Sequence, residues 1–171
     1  MSLIIELNGN KPKYGENCFF AQNSTIIGDV TMGDNCSVWF NAVIRGDVNS
    51  IIIGNNVNIQ DGVIVHGTYQ KFSTDLEDNV SIGHNAVIHG CKIQQNVLVG
   101  MGAIILDNVI IEENCVVAAG SVVTKGTILK SGYIYAGTPA KMIKPLSQEM
   151  IDGEIKRIAE AYKMYASWYK K

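Results

Sequence analysis

An aliphatic or small residue returns at nearly every sixth position along most of this chain, and that period constrains the fold more than any other feature. The series runs Ala21, Ile27, Met32, Val38, Ile44, Ile53, Ile59, Val65, Leu76, Ile82, Ile88, Ile93, Val99, Ile105, Ile111, Val117, Val123, Ile128 and Ile134. Thirteen of its eighteen steps are six residues, three are five and two are longer, with five unbroken six-residue steps from Ile93 to Val123. A hexapeptide repeat is the signature of a parallel β-helix. Three hexapeptides close one triangular coil, so residues about 18 apart stack on the same face and the repeated residues point inward. Seventeen glycines, three prolines and many Val and Ile fit short strands and turns rather than a helical body. Gly28, Gly33, Gly54, Gly83 and Gly100 each follow a repeated residue, where a glycine lets a tight corner take positive φ.

The two long steps, Ile44 to Ile53 and Val65 to Leu76, are expected to be loops, and loops on a rigid scaffold tend to carry function. Both flank the only three histidines of the chain, His66, His84 and His89, which fall within 24 of its 171 residues. Three imidazoles match the ligand count of a catalytic metal that keeps one coordination position open. A lone histidine is more often a surface or core residue, so the test is whether the three converge. Arg45, His66 and His89 each follow an inward residue of one face and should form a column with about 5 Å between neighbours. Asp61 and His84 both lie two places after inward residues of another face. His84 therefore belongs to a second column, and three prisms around a threefold axis could bring it against the first column of a neighbour.

After Gly137-Thr138-Pro139-Ala140 the period stops. Ser147 can cap a helix, and Ile151, Ile155, Ile158, Tyr162, Tyr165 and Tyr169 form an apolar stripe expected to pack along the coils. The chain is thus read as one domain: residues 1–146 a β-helix with an N-terminal cap strand, residues 147–171 an amphipathic helix. A net charge of −2 gives no footprint for nucleic acid or an anionic membrane. No apolar run approaches the ~20 residues of a membrane helix, and no signal peptide is visible at the N-terminus. Cys18, Cys36, Cys91 and Cys115 form no CxxC pair and read as small buried hydrophobes in a reducing compartment, which suggests a cytoplasmic protein.

The segment Ser37-Val38-Trp39-Phe40-Asn41-Ala42-Val43-Ile44-Arg45-Gly46-Asp47, then Asn58-Ile59-Gln60-Asp61, then His66, His84 and His89, resembles γ-class carbonic anhydrases over nearly the whole chain. The resemblance implies an all-β fold, a left-handed parallel β-helix of about six coils with a C-terminal α-helix along it. It implies a homotrimer in which His66 and His89 of one subunit and His84 of the next hold Zn2+, or Fe2+ or Co2+. There the metal would lower the pKa of bound water toward ~7, making hydroxide available for reversible hydration of carbon dioxide to bicarbonate. By the same resemblance Gln60 would orient the reacting solvent, Asn58 would help position substrate, Arg45 and Asp47 would form an ion pair, and Asp61 would orient its neighbours. The family's acidic proton-carrying loop has no match here. Val48 stands where one of its glutamates is expected, and the loop from Gly67 to Asn79 offers only Asp75, Glu77 and Asp78. The alternatives are an acetyl-CoA-dependent hexapeptide acyltransferase, which needs one histidine base, and a non-catalytic trimer stapled by its metal.

Overall fold

The computed structural model describes residues 2–169, so Met1, Lys170 and Lys171 at the ends of the two predicted segments lie outside the described residues. Short parallel strands wind into a three-faced prism. Its first face stacks Ile26, Ile44, Val65, Ile88, Ile105 and Val123 in register. The second stacks Met32, Ile53, Leu76, Ile93, Ile111 and Leu129. The third stacks Phe20, Val38, Ile59, Ile82, Val99, Val117 and Tyr135. All of these but Phe20 are buried, and full burial of one such aliphatic side chain contributes about 1.5–3 kcal/mol. The first two faces belong to one sheet because Thr25–Met32 and Val43–Ile53 cross a corner without a break. Leu3–Ile5 pairs in parallel on Thr25–Ile27 as the cap strand. At the other end Tyr133–Ala136 turns back into Lys141–Pro145, an antiparallel strand that the hexapeptide period does not foretell.

Fifteen of the nineteen repeated residues point inward; Ala21, Ile27, Ile128 and Ile134 do not, and their neighbours Phe20, Ile26, Leu129 and Tyr135 take the inward place. Both members of each pair are apolar, so hydrophobicity alone does not decide between them. The corners do. An Asn or Gly with positive φ stands three residues after the inward residue at Asn35, Asn41, Asn56, Gly62, Asn79, Asn85, Asn96, Gly102, Asn108, Asn114, Gly120, Gly126 and Gly132. Counted back from Gly132, the inward residue is Leu129, and the six-residue spacing then runs unbroken from Ile93 to Tyr135.

The glycines after inward residues have a different role from the one expected. Of Gly28, Gly33, Gly54, Gly83 and Gly100, only Gly28 has positive φ, at 73°. The others lie where the next coil passes close by: a Cβ on Gly100 would stand 2.4 Å from the Ala119 nitrogen, and one on Gly83 2.7 Å from the Met101 nitrogen. Gly100→Ala should therefore destabilise the protein by about 1–3 kcal/mol, because backbone and not a pliable side chain must move. An unchanged melting temperature would remove this account.

The first long step is a bulge rather than a loop. Val43–Ile53 stays one strand, and its pairing with Thr25–Met32 jumps from Gly28↔Gly46 to Val30↔Ile51. The second is a true excursion from Gly67 to Ser73, closed by a bridge between Thr68 and Phe72. The helix begins with Ser147, whose hydroxyl accepts the Met150 N–H at 3.2 Å. Its first turns widen into a π-helical segment, Ile151–Lys156, around Gly153 before regular helix resumes at Arg157–Ser167. That shift moves the buried stripe to Ile155, Ala159 and Ala166, with Tyr162 and Tyr165 half-buried over Phe19, Ala21 and Trp39. Tyr169 is exposed, although its ring lies 5.6 Å from that of Phe19. Among the described residues no helix is long and apolar enough to cross a membrane.

Candidate metal centre

His66 and His89 end the neighbouring strands Ile64–His66 and Val87–His89 and pair directly, His89↔His66. Each follows an inward residue, so each imidazole stands on the outer surface of the first face. Their ring centroids are 5.2 Å apart, and Nδ1 of His66 faces Nε2 of His89 at 3.2 Å. The outward nitrogens are claimed by carboxylates: His66 Nε2 meets Asp47 Oδ1 at 2.9 Å, and His89 Nδ1 meets Asp107 Oδ1 at 2.7 Å. Arg45, next in the column, pairs with the second oxygen of Asp47. Thr68 donates its hydroxyl to the second oxygen of Asp107 at 2.8 Å.

Burial works to raise the Asp47 carboxyl, but hydrogen bonds from His66 and Arg45 outweigh it and hold its pKa below the ordinary value. At Asp107, burial is likewise outweighed by hydrogen bonds from His89 and Thr68. Both carboxyls are therefore ionised and accept, which puts the histidine protons on the outward nitrogens. With both rings neutral, the two facing nitrogens aim lone pairs at each other, an arrangement that a proton or a metal cation between them would satisfy. Nitrogens about 2.0–2.1 Å from a tetrahedral metal stand about 3.3 Å apart, close to the separation seen here. The pair thus fits two ligands of such a site.

His84 stands elsewhere. It lies in the corner after the third-face strand Ser81–Ile82, with Nδ1 2.8 Å from Asp61 Oδ2, so its Nε2 is the nitrogen left for a ligand. The Asp61 carboxylate also accepts the Phe40 N–H at 3.2 Å, which ties the corner to the coil below. His84 shares a cleft of about 240 Å³ with Trp39, Tyr162 and Tyr165. Burial, aided by Asp61, pushes Tyr162 to about 12, so it stays a neutral phenol. Among the described residues of one chain, no three His, Cys, Asp or Glu side chains converge on a metal-sized site.

Gln60 and Asn58 occupy the outer side of the third face, both buried. The Gln60 amide donates to Asn58 Oδ1 at 3.0 Å, and the Asn58 amide donates to Ser81 Oγ at 2.6 Å, which fixes how both amides point. Within one chain they share the corner region of Asp61 and His84 rather than that of His66 and His89. The three carboxylates considered for proton transfer are engaged elsewhere. Asp75 and Glu77 pair with Lys92 at 3.6 and 3.0 Å, and Asp78 accepts the Asn55 N–H at 2.7 Å. Asp107 lies in a regular coil, and the sequence marks it only by its spacing, 18 residues after His89.

The chain matches the family model described as bacterial transferase hexapeptide (six repeats) over residues 15–46 and 90–125. It is 44% identical over 168 residues to the carbonic anhydrase of Geobacillus kaustophilus, covering 98% of this chain and 91% of that protein. It is 42% identical over 167 residues to gamma carbonic anhydrase 2, mitochondrial, of Arabidopsis thaliana, covering 95% of this chain and only 59% of that longer relative. Among solved structures, a hexapeptide transferase family protein from Anaplasma phagocytophilum matches with a TM-score of 0.92 and 38% identity over 98% of each chain. On this identity along almost its whole length, the chain belongs to the γ-carbonic-anhydrase-like family of hexapeptide-repeat proteins.

Proposed function

We propose that this protein is a metal-dependent enzyme that interconverts carbon dioxide and bicarbonate. It works as a cytoplasmic homotrimer whose sites lie between subunits, with His66 and His89 from one chain and His84 from the next. The observation that carries this reading is the His66–His89 pair: facing nitrogens at 3.2 Å, with both outward nitrogens held by carboxylates. All-imidazole donors suit zinc, and also iron and cobalt. Bound there, the metal supplies the Lewis acidity that makes water nucleophilic near neutral pH.

The chain's own residues do the rest. Asp47, Asp107 and Asp61 each hold one histidine by the nitrogen that does not face the metal, which sets tautomer and ring direction. Arg45 keeps Asp47 ionised and in place. The Gln60–Asn58–Ser81 chain of hydrogen bonds fixes an amide on the same corner as His84, where it can orient solvent and substrate at the shared site.

Protein purified without chelators and without oxygen should carry close to one divalent metal per chain and catalyse carbon dioxide hydration. A metal-free preparation would sink the reading. Gln60→Ala should lower the hydration rate by about 10–100-fold while leaving metal content intact, since Gln60 holds no metal-facing nitrogen. An undiminished rate would take Gln60 out of the mechanism. The similarity to a protein described as a hexapeptide transferase supports one rival, acyl transfer from acetyl-CoA. Acetyl-CoA binding by a protein without hydration activity would favour that rival.

A further inference from the structure

The excursion from Gly67 to Ser73 interrupts an otherwise regular coil, and both of its ends fasten onto the two facing histidines. At its start, Thr68 reaches past the coil of His89 to Asp107, 39 residues on, and donates its hydroxyl to Oδ2 at 2.8 Å. The other oxygen of that carboxylate holds His89 Nδ1 at 2.7 Å, so neither oxygen of Asp107 is left to let the group rotate. Thr68 is itself pinned. Its N–H donates to the Phe72 carbonyl at 2.9 Å, its carbonyl accepts the Phe72 N–H at 3.2 Å, and Asn49 donates to the same carbonyl at 3.4 Å. The Lys125 ammonium lies 5.3 Å from the centroid of the Phe72 ring, joining the base of the excursion to a later coil. At the far end, the buried Thr74 hydroxyl donates to the His66 carbonyl at 2.5 Å and accepts the Gly90 N–H, the amide just after His89, at 3.0 Å.

A corner of ordinary length could not make the first of these contacts, because Asp107 lies two coils above Thr68, about 10 Å at the usual strand spacing. We propose that Thr68 and Asp107 are positioning residues that hold His89 with Nε2 turned toward Nδ1 of His66, which makes the excursion a latch on the metal-binding pair. The claim rests on the metal reading above and adds Thr68, which neither the period nor the histidine pattern marks.

The test uses full chains of the wild type, Asp107→Ala, Thr68→Val and Thr68→Ser, freed of metal and titrated with Co(II) against a competing chelator. Asp107→Ala is expected to weaken Co(II) binding by about 10–100-fold, and Thr68→Val by up to about 10-fold. Thr68→Ser, which keeps the hydroxyl, should stay within about twofold of wild type. A second readout needs no metal. In the apo wild type at about pH 8.5, above the ordinary histidine range, long-range nitrogen–proton NMR should find the His89 proton on Nδ1, and Asp107→Ala should release it to Nε2. Binding within twofold of wild type in Asp107→Ala, with an unmoved tautomer, would overturn the proposal. So would an equal loss in Thr68→Ser and Thr68→Val. A wild type with the expected tautomer that takes up no Co(II) would instead bring down the metal reading, and the positioning role would fall with it.

Discussion

His66→Ala protein should leave purification without its metal and without measurable carbon dioxide hydration. Three imidazoles are the fewest protein ligands of a catalytic zinc, and two leave too little of the coordination shell. The substitution also strips His89 of the nitrogen it faces at 3.2 Å and leaves the ionised Asp47 with Arg45 as its remaining partner. Metal affinity should fall at least a hundredfold, and activity should fall to background with it. The buried residues of the prism are untouched, so the variant should still fold, as circular dichroism can check. A folded His66→Ala protein with wild-type metal content would show that the pair is not a metal site.

The second large effect is a recovery. His66→Ala and His84→Ala, each inactive alone, should regain metal and activity when unfolded and refolded together. An interface where the His84→Ala chain contributes His66 and His89, and the His66→Ala chain contributes His84, has its full ligand set. With random equal mixing in a closed threefold ring, each site needs one specified chain on each side, so about a quarter of all sites should return. The separation of His84 from the other two histidines in one chain motivates the experiment. Mixed trimers without recovered metal would sink the shared site.

The prism was legible because one physical rule repeats: every sixth residue must be small or apolar to fill a narrow interior. The histidine column and its register followed from counting that rule along the chain. It failed where two apolar residues sit side by side, at Phe20-Ala21, Ile26-Ile27, Ile128-Leu129 and Ile134-Tyr135; at Ile128-Leu129 the Gly of the following corner carries the missing information, and six-residue spacing from Leu129 then gives Tyr135. Asp107 escaped because it meets His89 through stacking of successive coils, a relation that no local motif displays. The glycine corners misled for a similar reason. Gly83 and Gly100 answer to the coil above them and not to their own φ. The π-helical segment moved the helix stripe by a residue, and a 3.6-residue count cannot foresee that.

The antiparallel strand Lys141–Pro145 has a consequence for the protein's life in a crowded solution. A stack of near-identical coils has no inherent reason to stop, and its last coil would offer a bare ladder of amides and carbonyls to the first coil of another molecule. Such end-to-end joining would grow filaments without limit. The chain instead turns back on itself after Ala136 and lays a strand of opposite polarity over the third-face part of that edge. Any newcomer then meets two lysines, Lys141 and Lys144, and a proline that cannot donate. Five exposed residues thus end, on one of the three faces, a template that the rest of the sequence keeps copying.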